Sequence, residues 1–216
     1  MTVDLVHSGV HPDGGIVPAR LEFRRSGSHI TIKAAEHVGR LCRASFGGPP
    51  PKLREHDRTI TIEYPLLARA GWVHRTRRAA TVTLAVGQPW ELVFARGVAH
   101  LHVDFTPGEL CSLKIAGGVS GAKLRLPAPR GFVPLRISGG ARELEIMRPQ
   151  RSAVRLRIGG GAHRLTLDDQ RFGAIGGTTA LDTPGAADAS DRYEIEIAGG
   201  VSHLAVIPEA GSGLVS

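Results

Sequence analysis

The stretch Cys111-Ser112-Leu113-Lys114-Ile115-Ala116-Gly117-Gly118-Val119-Ser120-Gly121-Ala122-Lys123-Leu124-Arg125 decides how this chain is read. Before the glycine pair, apolar side chains stand at 111, 113 and 115; after it, at 122 and 124. Polar residues such as Lys114 and Lys123 lie between them. Such alternation describes a strand with one dry face and one wet face. A Gly-Gly pair between two of these strands reads as a corner, where left-handed backbone costs glycine nothing.

The pattern recurs along the chain. With Gly118 as origin, the equivalent glycines are Gly97, Gly140, Gly161 and Gly200, at intervals of 21, 22, 21 and 39 residues. Three positions before each origin stand Phe94, Ile115, Ile137, Ile158 and Ile197. Five before stand Leu92, Leu113, Leu135, Leu156 and Ile195, and seven before stand Trp90, Cys111, Val133, Val154 and Tyr193. Four and six positions after, every residue is again apolar, from Leu101 and Val103 to Leu204 and Val206. A constant period with constant residue type in each column is what stacked coils require, because equivalent positions then lie on one another. The expected fold is therefore all-β, a β-solenoid of two-strand coils. The alternative is a β-sandwich or barrel of hairpins.

The whole chain, 1–216, reads as one domain. Residues 90–208 hold five coils, and the long last interval contains an insertion at 169–191. That insertion is rich in Gly, Ala, Thr and Asp and is expected to be a mobile loop. Residues 1–89 alternate less regularly, at Leu21-Glu22-Phe23, Ile30-Thr31-Ile32, Ile60-Thr61-Ile62 and Val82-Thr83-Leu84. They read as an irregular β cap or degenerate coils.

The phrase Leu-x-Ile-x-Gly-Gly-x-x-x-Leu-x-Leu, carried at 113–124 with Ala122 in place of the first of the two later leucines, resembles the bacterial putative-adhesin β-solenoid family, a domain of unknown function. The resemblance spans roughly residues 20–207. It implies a stacked-coil fold and an adhesin-like role, and it supplies no catalytic residues. Many members carry a secretion signal or membrane segment. This sequence opens Met1-Thr2-Val3-Asp4, without a basic stretch leading into an apolar one. A cytoplasmic protein with no membrane span is therefore expected.

Charge is uneven. The net charge is +7. Residues 1–89 hold 13 basic and 7 acidic residues, and 90–216 hold 14 and 13. The densest basic cluster is Arg69, Arg75, Arg77 and Arg78, with Trp72 beside it. It is a candidate patch for anions or nucleic acid, although nucleic acid is not the expected partner. The two cysteines, Cys42 and Cys111, have no metal-binding or redox spacing.

The best metal candidate is His100, His102 and Asp104, which alternate on one strand and so share its outer face. The equivalent positions one unit later are Gly121, Lys123 and Arg125, an ordinary wet face, and no metal or other cofactor is expected. Gly159-Gly160-Gly161 lacks the Lys-Ser/Thr of a phosphate loop. Asp168 with Arg164 and Asp169 is the nearest arrangement to a lyase site, and a surface ion pair explains it equally well. The expected protein is not an enzyme. It is a binding or assembly module with a protein partner, or one that self-associates through coil ends, the last coil above all. The alternatives are a cell-envelope or carbohydrate-binding adhesin-like protein, or a metal binder.

Overall fold

The computed structural model describes residues 2–5, 17–25, 29–36, 41–48, 50–64 and 79–209. These form strands and turns with no helix, and so none long and apolar enough to cross a membrane. In chain order the strands are β1 (Thr2–Leu5), β2 (Ala19–Arg25), β3 (His29–Ala35), β4 (Cys42–Gly47), β5 (Lys52–His56), β6 (Thr59–Glu63), β7 (Ala79–Ala85), β8 (Pro89–Phe94), β9 (Val98–Ala99) and β10 (Leu101–Asp104). They continue as β11 (Glu109–Ile115), β12 (Val119–Arg125), β13 (Phe132–Ile137), β14 (Ala141–Arg148), β15 (Ala153–Ile158), β16 (Ala162–Leu167), β17 (Gln170–Ile175), β18 (Thr179–Asp182), β19 (Arg192–Ile197) and β20 (Val201–Pro208).

Two large mixed sheets result, and neither closes into a barrel. One runs β1-β4-β7-β3-β10-β12-β14-β20-β16-β17, with β9 beside β12. The other runs β18-β15-β19-β13-β11-β8-β2-β6-β5. The strands on either side of a Gly-Gly corner enter opposite sheets and do not pair as a hairpin. From β7 to β16 in the first sheet, and from β6 to β15 in the second, neighbours are parallel. Equivalent residues meet in register: Leu113 pairs with Leu135, and Leu135 with Ile195.

The inward columns of the two sheets form one apolar core. Each face-inward side chain is covered from above and below by its counterparts, which is why one two-strand layer alone would leave its apolar surface wet. In β11 the alternation is broken. The register of β11 against β8 shifts between Leu110 and Ser112, a β-bulge. Leu110 therefore takes the inward place beside Trp90, and Cys111 is left half-buried.

The corner glycines have a different cause from the expected one. None of Gly97, Gly118, Gly140, Gly161 and Gly200 has a positive φ. What excludes a side chain is the next layer's backbone. A Cβ added at Gly139 would sit 2.6 Å from Gly118 N, and one at Gly199 2.7 Å from Gly140 N.

The order of layers also departs from the order of the sequence. Strands β19 and β20, the last coil, do not lie at an end. They are inserted between β13/β14 and β15/β16. The last coil, expected to present a free end for self-association, therefore presents none. The outermost layer there is β15/β16, and the 169–191 segment, expected to be a mobile loop, covers it. Strand β17 pairs antiparallel with β16, and β18 antiparallel with β15. At the opposite end β4 and β5 cover β7 and β6 in the same antiparallel manner. Charge favours the interlaced order. The outward residues Glu194 and Glu196 of β19 lie in register with Arg155 and Arg157 on one side, and Glu196 with Arg136 on the other. Stacking in sequence order would set Arg136 against Arg157.

Candidate functional site

The second strand of each layer carries a kink that the sequence pattern hides. His100, Gly121, Glu143, Arg164 and His203 all have left-handed backbone, with φ between 51° and 62°. Each lies three residues after its corner glycine. The residue one after the glycine and the residue four after it are both buried, as in Ala141 and Leu144. The left-handed residue therefore resets the alternation and turns two consecutive side chains outward: Arg142 with Glu143, His163 with Arg164, Ser202 with His203. For a non-glycine residue this backbone costs on the order of 1 kcal/mol or more. Because every layer carries the kink at the same place, the strands stay in register on both sides of it.

In spatial order the line reads His100, Gly121, Glu143, His203, Arg164. His100 extends it one layer further by stacking on His29, ring centroids 4.5 Å apart. His203 is held on two sides. Its Nε2 is 2.7 Å from Arg164 Nη1 and its Nδ1 is 3.1 Å from Ser202 Oγ. An arginine can only donate, so Nε2 accepts and the ring proton sits on Nδ1, toward Ser202. Gly121 adds no side chain to the line, and the His100 ring leans over it, its Nδ1 3.2 Å from where a Cβ would stand. A shallow groove of about 460 Å³ opens there, with Lys123, Glu143, Glu145, Arg164 and His203 among its walls. Lys123 and Glu145 pair across it at 3.2 Å.

The candidates from sequence fall out as follows. His102 and Asp104 lie on the outer face of β10, while His100 belongs to the kink and stacks on His29. Asp104 accepts a hydrogen bond from Thr106 Oγ1 at 3.0 Å and lies 3.9 Å from Arg125 Nη1. Among the described residues no three His, Cys, Asp or Glu side chains gather into a metal-binding group. Of Asp168, Arg164 and Asp169, the arrangement nearest to a lyase site, the first two go separate ways: Asp168 to Arg148, Arg164 to His203. Arg69, Trp72, Arg75, Arg77 and Arg78 lie outside the described residues. Period-2 alternation does not describe the kinked line. Its signal in the sequence is two consecutive polar residues after an apolar one in three of the five units, at 142–143, 163–164 and 202–203.

An all-β protein of two large sheets, with a kinked polar line along one outer face, is the class that this geometry defines. No family model matches the chain, and no curated protein does. In fold it is similar to the crystal structure of a putative cell adhesion protein from Clostridium sporogenes. The two are 17% identical with a TM-score of 0.61, over 93% of this chain and 96% of the other.

Proposed function

We propose that this chain is a non-catalytic β-solenoid acting as a binding or assembly module in the cytoplasm. The observation that carries the reading is the in-register parallel pairing of successive layers in both sheets. It turns each outward position into a column and so builds broad, flat, charged faces. Such a face suits an extended macromolecular partner better than an enclosed small molecule, and the groove at Gly121 is correspondingly shallow. A second reading, an adhesin-like protein of the cell envelope that binds protein or carbohydrate, is favoured by the likeness to the clostridial protein.

Location separates the two. Fractionation of the native host, with protease shaving of intact cells, leaves the protein whole and cytosolic under the first reading. Loss of the protein on shaving supports the second. Binding itself is tested by co-sedimentation of the purified chain with cell-envelope fragments and by its recovery on cytosolic protein columns. Charge reversal at Lys123 and Arg164 is expected to weaken whichever interaction appears. An interaction indifferent to both changes would take the kinked face out of the proposal.

A further inference from the structure

The slot that holds β19 and β20 has matched walls. Strand β13 meets β19 with Val133 opposite Tyr193, and β15 meets it with Val154 opposite the same residue. Strands β14 and β16 meet β20 in equally equivalent registers. The walls carry Arg136 on one side and Arg155 and Arg157, which share Asp182, on the other; the insert carries Glu196, and Glu194 paired with its own Arg192. Arg136 Nε lies 3.4 Å from a Glu196 carboxylate oxygen. Closing the slot without an insert would bring Arg136 against Arg157, so the walls favour an acidic filler over each other.

The insert is also separable. The segment before it is anchored at Thr183, whose hydroxyl meets the Val154 backbone, and at buried Ala186. Between Ala186 and Arg192 the chain is largely exposed. Those five residues, if extended, reach about 17 Å. Both walls seat the insert through their strand ladders, and the side-chain contacts beyond the Arg136–Glu196 pair lie on the β13 side: Tyr193 Oη donates to Pro127 O at 2.6 Å, Arg192 lies over the Phe132 ring at 4.0 Å, and Asp191 Oδ1 accepts from Gly131 N at 2.6 Å, a contact an exchanged insert makes with the partner's Gly131.

We propose that this slot is an exchange site, and that its second occupant is residues 192–208 of another copy of this chain. An exchanged insert makes the same pairings, the same Tyr193 anchor and the same charge contacts. The exchange then costs only the association of two chains and the rearrangement of 187–191. Reciprocal exchange closes as a dimer. The inference uses strand pairing and charge alone, so it stands or falls separately from the choice of partner above.

Charge-swapped full-length chains test it. One variant carries Glu196→Arg, which sets three arginines in a row. The other carries Arg136→Glu and Arg157→Glu, which sets acidic walls around an acidic insert while Arg155 stays with Asp182. Each chain then has an insert that suits the other's slot and not its own. Refolded together at high concentration, they are expected to give a one-to-one heterodimer in size-exclusion chromatography with light scattering and native mass spectrometry. Its yield should exceed either self-dimer by about tenfold or more and should fall with added salt. If each variant fails to fold alone, rescue on mixing is the same positive result. Mixed variants that stay monomeric, that pair no better than either alone, or that both stay unfolded would overturn the proposal.

Discussion

The guanidinium of Arg148 meets the carboxylate of Asp168 across a strand that belongs to neither of them. Arg148 ends β14, Asp168 follows β16, and β20 lies between, paired with both. Arg148 Nη1 also donates to the carbonyls of Pro149 and Gln150. The side chain of Arg148 is 3% exposed and that of Asp168 23%. The pair thus spans the inserted layer and ties the outermost layer back to the one beneath it.

Removing the two partners should have unequal effects. Asp168→Ala leaves a buried cation without its counter-charge and is expected to cost about 3 kcal/mol. Arg148→Met removes the buried charge, fills much of the space and leaves a carboxylate with access to water, so its cost should be nearer 1 kcal/mol. Urea denaturation of both variants measures the difference. A larger loss for Arg148→Met would show that the arginine acts chiefly through its carbonyl contacts.

The corner glycines make a second prediction. At Gly199 an added methyl meets the backbone of Gly140, which cannot swing aside as a side chain could. Gly199→Ala should therefore cost about 1–3 kcal/mol through overpacking. Gly87 serves as the control, because a Cβ there meets nothing within 4 Å and its φ is not positive. Gly87→Ala should be neutral or stabilising by up to about 1 kcal/mol, through the unfolded chain. Equal effects at the two sites would remove close backbone approach as the reason for the corner glycines.

These two cases mark what was legible in the sequence. The inward columns could be read from alternation alone: Leu92, Leu113, Leu135, Leu156 and Ile195 are all buried. The order of the layers could not. A column that reads Ile137, Ile197, Ile158 in space is equally well packed as Ile137, Ile158, Ile197, so apolar periodicity is blind to an exchange of layers. The information lay in the outward charges, Glu196 between Arg136 and Arg157, where a period-2 reading assigns only wetness. The kinked line escaped for a related reason. Left-handed backbone at Glu143 or Arg164 is not marked by a glycine, which occupies that position only at Gly121, and its one trace is the polar doublet that ends at each of these residues. The strands within 169–191 were hidden by composition, since Gly173 and Gly176 suggest a loop while the pairing with β16 supplies the order.

Acid should expose the role of Asp182, which caps the outer layer at 2.7 Å from Arg157 and 3.3 Å from Arg155. The hydrogen bond from Arg157 holds its carboxyl below the ordinary value of 3.8; desolvation opposes this, and the charges of Arg157 and Arg155 and a hydrogen bond from Arg155 add to the lowering. Folding therefore favours the ionised form. The contribution is complete above the ordinary value and drains away as pH falls below it. The difference in urea midpoint between the parent chain and Asp182→Asn should be constant from neutral pH down to about pH 5 and shrink below about pH 4. A gap that persists unchanged at lower pH would mean that Asp182 acts by shape and not by charge.

Thiol chemistry reads the β11 bulge directly. Under unbroken alternation Cys111 would point into the core and be as silent as fully buried Cys42. With the bulge it is half-buried, and Leu110 takes the inward place. Burial raises its thiol above the ordinary value of 9.0, and the charges of Glu109 and Glu91 raise it further. The thiolate is the reacting species, so Cys111 should react with a disulfide reagent at pH 8 more slowly than a free thiol in an unfolded chain. It should still react in the native state, while Cys42 should wait for unfolding. Glu109→Gln should quicken the Cys111 reaction. A native chain with both thiols silent would place Cys111 in the core and remove the bulge; a Cys111 rate equal to that of an unfolded thiol would mean that β11 opens far more often than its place in the middle of the sheet allows.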